Sequence, residues 1–192
     1  MLILVRHGRT LSNATGILQG RVDNPLDEVG TGQVTQVSAA IGHVDRVISS
    51  SLLRAQQTAA MFAAPATIDD RWIELDYGEY DGLPLAEVPP QAWISWRSDR
   101  GFAPPGGESM GDLDLRVRAA AAEVLEIARD EVVVVVSHVS PIKAAVAWAI
   151  GGDVMMSWRM QLDQAAVCRI GAGPNGAALR SFNEVLYTVA PS

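Results

Sequence analysis

Two short apolar runs constrain this chain more than anything else in it. Residues 2–5 read Leu-Ile-Leu-Val and residues 132–136 are five consecutive valines; each run passes through one polar residue, Arg6 or Ser137, into a histidine, His7 or His138. Runs this short, rich in branched side chains and without polar alternation, read as strands covered on both faces. Such strands belong in the centre of a parallel sheet, which makes the fold class α/β. Ligands in open α/β sheets bind beyond the carboxyl ends of the strands, so two histidines delivered to one edge mark a site. A strand end is not the middle of an apolar layer, and neither residue is expected to be a core histidine.

The rest of the chain supplies helices to cover such a sheet. Residues 27–41 carry Val29, Val34, Val37, Ala40 and Ile41 on a rough apolar face ended by Gly42. A second strand at 46–48 leads into Ser49-Ser50-Ser51, candidate N-caps for a helix with Leu52, Ala55, Ala59 and Phe62 at helical spacing. Trp93, Trp96 and the run Ala103-Pro104-Pro105-Gly106-Gly107 suggest a short helical excursion and a loop over the sheet edge. Ser109 followed by Asp112 matches a capping box and opens a long Ala-rich helix to about Arg129, with Glu126 and Arg129 paired on its outer face. After His138, Ser140 is the expected N-cap and Pro141 the first residue of a helix to about Ile150. Residues 165–170 and 178–182 read as a closing hairpin, and the last residues are expected to fray.

Length bounds the domain count: 192 residues suit one domain, 1–192, with a substantial core. The net charge of -7 argues against a nucleic-acid or anionic-membrane surface, while leaving room for a local cationic pocket. Of fifteen Lys and Arg only Lys143 is a lysine, so the positive charge is almost all guanidinium, the group suited to bidentate phosphate contacts. The single cysteine, Cys168, stands among Ala166, Val167 and Ile170 and reads as a buried strand thiol. His43 has no cysteine or acidic partner at ligand spacing and is expected at the surface. No leader-like or membrane-spanning stretch is present, so a cytoplasmic location is the default expectation.

Several residues are placed to carry chemistry, though each has a plain structural use as well. Gly8 lets the backbone approach a ligand closely or adopt positive φ. Asn13, Gln19 and Gly20 lie in the polar loop after the first strand, where amides either cap turns or bind an anion. Arg54 falls in the first turn of its helix, where its guanidinium adds to the positive helix N-terminus. Glu74 opens the acidic, aromatic and Gly-closed segment Glu74-Leu75-Asp76-Tyr77-Gly78-Glu79-Tyr80-Asp81-Gly82, one of several carboxylates able to serve as general acid there.

In that order and context these stretches resemble the histidine phosphatase superfamily, also called phosphoglycerate mutase-like. The matching stretches are VRHGRT, NPLDEVG, SSSLLRAQQTA, ELDYGEYDG, PPGGES and VVVVVSHVSPIK, and they extend over nearly the whole chain. The resemblance implies a three-layer α/β/α sandwich with a mostly parallel central sheet. It implies a phosphomonoesterase of the histidine acid phosphatase type, with His7 as nucleophile, Glu74 as general acid and base, and Arg6, Arg54 and His138 holding the phosphoryl oxygens. Asn13, Gln19, Gly20 and the backbone N–H of Val139 are the further phosphate donors it suggests. Fixed cations supply positioning and charge neutralisation, so no metal and no cofactor are implied. The mechanism asks for a neutral His7 and a protonated Glu74, hence activity that declines as pH rises.

Within the family, HVSPIK and PPGGES are similar to the acid phosphatase domain that some bacteria fuse to ribonuclease H, and to α-ribazole phosphatases. Val139 follows the second histidine where many members have Gly, and Tyr80-Asp81 stands where many have Trp-Glu, so Asp81 is given no catalytic role. The expected partner is a small phosphorylated substrate, with a second copy of the chain, as a homodimer, the other candidate. Two other functions compete: phosphoglycerate mutase-type transfer, which the brief 83–105 segment disfavours, and an idle phosphate-ligand-binding module, which would not need Glu74.

Overall fold

The computed structural model describes residues 1–188; the expected fraying of the last residues concerns 189–192, outside that range. Six strands form one sheet: β1 (Leu2–Arg6), β2 (Arg46–Ser49), β3 (Ala66–Ile68), β4 (Val133–Ser137), β5 (Val167–Gly173) and β6 (Gly176–Glu184). Their order is β3-β2-β4-β1-β5-β6. The first four in that order run parallel, and β5 is antiparallel to both β1 and β6. The sheet is therefore mixed and mostly parallel, with the hairpin closing it at 174–175.

Alternation along the central strands builds two cores. Leu2, Leu4, Val133 and Val135 face the helices α5 (Met110–Ile127) and α6 (Val139–Ala149), which contribute Leu113, Val117, Ile142 and Ala145. Ile3, Val5, Val134 and Val136 face α2 (Glu28–Ile41) and α3 (Leu53–Ala59), through Val34, Val37, Ala55 and Ala59. Each branched side chain so enclosed contributes about 1.5–3 kcal/mol of burial. The result is the three-layer sandwich. Cys168 lies buried in β5, where burial pushes its thiol up to about 11. His43 is exposed, facing Asp45 at 3.0 Å.

The caps hold where a side chain serves its own helix and fail where the site claims it. Asp27 accepts from the Gly30 N–H at 2.7 Å and Ser109 from the Asp112 N–H at 3.1 Å. Ser49, Ser50 and Ser51 do not cap α3: its N-cap is Leu52, with no side-chain hydrogen bond. Nor is Ser140 the cap of α6, whose N-cap is His138, so that Pro141 is the third helical residue. Proline is tolerated there because first-turn N–H groups lack intrahelical partners. Two short elements escaped the periodicity reading altogether, the five-residue helix α1 (Leu11–Thr15) and the exposed edge strand β3. The Trp-containing excursion is α4 (Pro90–Ser98), where Trp96 and Ala92 pack with Leu18 and Val88 in a third cluster.

Candidate active site

The register of the two central strands brings the histidines together. Arg6 of β1 stands opposite Ser137 of β4, and the His7 N–H donates to the Ser137 carbonyl at 3.0 Å. The two rings leave adjacent strands with centroids 5.1 Å apart. Both are buried, His7 3% exposed and His138 0%, which corrects the expectation that a strand end lies clear of the core. The reason is that loops from α3, the 74–77 segment and α6 close over the sheet edge.

Around His7 the hydrogen bonds assign a tautomer. Its Nδ1 lies 2.8 Å from the Gly8 carbonyl oxygen, which can only accept, so Nδ1 carries the hydrogen. Nε2 then presents a lone pair, and Arg54 Nε donates to it at 3.3 Å. Burial first, then the Arg54 and Arg6 charges, hold the His7 pKa well below the usual 6.5, so the ring is neutral. Gly8 serves helix packing in place of ligand approach: a Cβ there would sit 2.6 Å from the Gly30 carbonyl oxygen of α2. The Gly8 N–H is held by Thr58 Oγ1, which itself donates to the Arg54 carbonyl.

Arg54 is fully buried and held from both ends. Its Nη1 donates to the Val22 carbonyl at 2.9 Å and its Nη2 to the Gly20 carbonyl at 2.6 Å. That loop is tied in turn by Asp81, whose carboxylate accepts from the N–H groups of Gly20, Arg21 and Val22 at 2.7–2.8 Å. The Gly20 N–H is thus engaged by Asp81. Asn13 completes a capping box with Thr10, and Gln19 Oε1 accepts from the Thr10 hydroxyl, while Gln19 Nε2 is buried without a partner.

His138 is anchored through Nε2, 2.6 Å from Ser50 Oγ, and its Nδ1 has no partner. Burial and then Arg54 hold its pKa well below 6.5. Arg6 Nη1 donates to the Leu162 carbonyl, leaving Arg6 Nε buried and unpartnered, and burial lowers its pKa to about 10. Unmade hydrogen bonds of this kind cost free energy, and an oxyanion in the cleft is the sort of group that relieves them.

Glu74 takes the place of the serine cap on α6. Its Oε1 accepts from the Leu75 and Ser140 N–H groups and its Oε2 from the Val139 N–H, at 2.8, 3.2 and 3.1 Å. The Val139 N–H is therefore held by Glu74. Each carboxylate oxygen has two lone pairs, so one on Oε2 is left for a proton. Arg116 braces this segment from α5 by donating to the carbonyls of Arg71, Ile73 and Glu74 while paired to Glu108. A cleft of about 230 Å³ opens between these groups, lined by Arg6, His7, Asn13, Gln19, Glu74 and Val139. Arg54, His138 and Gly20 lie buried behind that lining.

The model of the histidine phosphatase superfamily (branch 1) matches residues 2–185. The chain belongs to that superfamily. Among curated relatives, the "Bifunctional protein Rv2228c" of Mycobacterium tuberculosis is 34% identical over 97% of this chain and 54% of its own length. The chain thus spans about half the length of the curated relatives it first matches. A "Probable phosphoglycerate mutase GpmB" of Yersinia pestis is 32% identical over 87% of this chain and 82% of the relative. Of solved structures, the mycobacterial glucosyl-3-phosphoglycerate phosphatase Rv2419c with VO3 superposes with TM-score 0.86 at 27% identity, covering 95% of this chain and 98% of that one. The α-ribazole phosphatase from Shigella flexneri gives TM-score 0.84 at 25% identity over 99% of both chains.

Family and relatives support a phosphatase or phosphotransferase enzyme. The stretches that carry the family resemblance hold both the residues nearest the cleft and three of the supports behind them, Ser50, Thr58 and Asp81, while Arg116 stands outside those stretches. Ser50, Thr58, Asp81 and Arg116 touch the site groups or the loops that hold them, and none stands in a motif whose spacing announces that task. Ser50 belongs to the serine run expected to cap a helix, and Asp81, expected to have no catalytic role, acts here by holding the 20–22 loop. Among the described residues no helix is long and apolar enough to cross a membrane.

Proposed function

We propose that the chain hydrolyses small-molecule phosphate monoesters through a phosphohistidine formed on His7. The observation that carries this reading is the Gly8 carbonyl on His7 Nδ1, which leaves Nε2 with a lone pair in a buried, cation-flanked position. In the first step Nε2 attacks phosphorus, the bond to the ester oxygen breaks, and the proton on Glu74 passes to that oxygen. In the second step Glu74 takes a proton from water, the water oxygen attacks phosphorus, and the N–P bond breaks to release phosphate. Arg54 Nε turns from the imidazole to a phosphoryl oxygen as the nucleophile engages. Arg6 and His138 bring further donors, Asn13, Gln19 and Val139 line the cleft that takes the phosphoryl group, and the Gly20 carbonyl holds Arg54 behind it. The proposal is of a cytoplasmic, acid phosphatase-type hydrolase whose partner is its small phosphorylated substrate, acting alone or as a homodimer.

Rapid quenching without acid during turnover of radiolabelled p-nitrophenyl phosphate tests it. Label is expected on His7, acid-labile and stable to base, and His7→Ala is expected to turn over at background. A wild-type protein that hydrolyses the ester without ever carrying label at that position overturns the mechanism.

A further inference from the structure

The loop Pro104-Pro105-Gly106-Gly107-Glu108-Ser109 is one of the stretches that carry the family resemblance, though none of its residues lines the cleft. It lies against the segment that presents Glu74. The Glu108 N–H donates to the Asp76 carbonyl at 2.9 Å, and the Glu79 N–H to the Pro105 carbonyl at 3.0 Å. Gly107 permits that approach, since a Cβ there would stand 2.6 Å from the Asp76 carbonyl oxygen. Glu108 is thereby delivered to the flank of the 71–74 segment, its side chain only 13% exposed.

What Glu108 meets there is Arg116 of α5. Its two carboxylate oxygens accept from Arg116 Nε and Nη2 at 2.7 and 2.8 Å, the parallel fork in which a carboxylate and a guanidinium fix each other's plane. Arg116 spends its other three N–H groups on backbone carbonyls: Nη1 on Arg71 and Ile73, both at 2.8 Å, and Nη2 on Glu74 at 3.3 Å. A guanidinium has five N–H donors, so none is left over. The carbonyl between them, that of Trp72, accepts from Ser137 Oγ of β4 at 2.6 Å. Four successive carbonyls leading into Glu74 are therefore tied, three of them by one guanidinium whose plane Glu108 holds. Proton transfer needs its donor within about 2.6–3.2 Å of the leaving oxygen, and a misplacement of about 1 Å can cost on the order of 10²-fold. We propose that Glu108 is a positioning residue for the proton donor: through Arg116 it sets the backbone from which Glu74 reaches the leaving oxygen. This rests on the phosphomonoesterase reading above, with Glu74 as that donor.

The test reads kcat and KM for n-propyl phosphate, whose alkoxide must gain a proton as it leaves, and for p-nitrophenyl phosphate, whose phenolate need not. Glu108→Gln offers Arg116 one oxygen in place of two. It is expected to lower kcat for the propyl ester roughly 10- to 100-fold and for the nitrophenyl ester by less than about threefold, with both KM values in place because neither Glu108 nor Arg116 lines the cleft. Arg116→Lys keeps the charge and loses the fork; it is expected to give the same split and serves where Glu108→Gln does not fold. Equal loss on both esters, or no loss on either, overturns the proposal. A second arm adds Glu108→Gln to Glu74→Gln. With the proton donor gone there is nothing left to position, so the propyl ester should lose nothing further, whereas losses that multiply would mark a generally loosened structure and overturn the role. The two readings fail separately. Glu74→Gln without any split between the esters would unseat the donor itself; a split there with none at Glu108→Gln would sink only the positioning role.

Discussion

The two walls of this site are built in different ways. On the sheet-edge wall each group is held by directional bonds: His7 by the Gly8 carbonyl, Arg54 by two loop carbonyls, His138 by Ser50, and Glu74 by three backbone N–H groups. The other wall is Tyr77, which lines the cleft and is backed by an aromatic cluster. Trp96 meets Tyr77, Tyr80 and Phe102 edge-on, Trp93 meets Trp158 at 6.4 Å, and Trp96 Nε1 and Trp158 Nε1 find no partner. One wall fixes angles and the other fixes only shape. Phosphoryl transfer depends on in-line alignment and suits the first kind of wall, while selecting a leaving group needs contour and suits the second.

That contrast can be broken by substitution, most severely at the proton donor. Glu74→Gln keeps an acceptor for α6 and removes the transferable proton; kcat is expected to fall roughly 10²–10⁴-fold for alkyl phosphates, and much less for p-nitrophenyl phosphate. Equal losses for both leaving groups would take Glu74 out of the role. Next in size is Asp81→Ala, which frees the 20–22 loop and with it the carbonyls gripping Arg54. Here kcat should drop roughly 10- to 100-fold with KM little changed, because geometry is lost and the pocket is not. An Asp81→Ala enzyme as fast as wild type would show that the grip on Arg54 is dispensable.

Acid sharpens the comparison next. His7 and His138 are both neutral when folded, with pKa values held well below 6.5, whereas an unfolded chain binds protons at them around 6.5. The unfolded state binds more protons below that value, so stability is full above pH 6.5 and declines as pH falls beneath it. Thermal melts should lose up to roughly 3–5 °C per pH unit for each histidine. His138→Asn should flatten the slope, and an unchanged slope would mean the ring is not the source. The smallest effect is expected at the aromatic wall: Trp158→Phe should leave kcat for p-nitrophenyl phosphate within about threefold, while shifting KM across a series of larger esters. A large loss of kcat from that change would erase the division between the two walls.

How much of this was legible in the sequence follows from the same division. Strands β1 and β4 announce themselves because a short, unbroken apolar run has few other uses, and the residue just past each was therefore placed at the edge. Arg54 was placed at its helix start by the spacing of Leu52, Ala55 and Ala59. The caps misled at Ser50 and Ser140 for a common reason: local sequence shows what a side chain can bond nearby, and here His138 and Glu74, distant in the chain, claimed the positions instead. Asp81 and Arg116 act on backbone groups 42 or more residues away, a partnership no local pattern records. Helix α1 and strand β3 leave no periodic signal because neither the five residues of the one nor the three of the other include a buried side chain.

His7 sits one residue beyond a strand zipped on both sides, to β4 and to β5. Amide hydrogens at Leu4, Val5 and Val135 should then exchange with solvent only when the whole molecule opens. Heating should accordingly extinguish catalysis and tertiary structure in a single transition, with no warm, intact and inactive form between them.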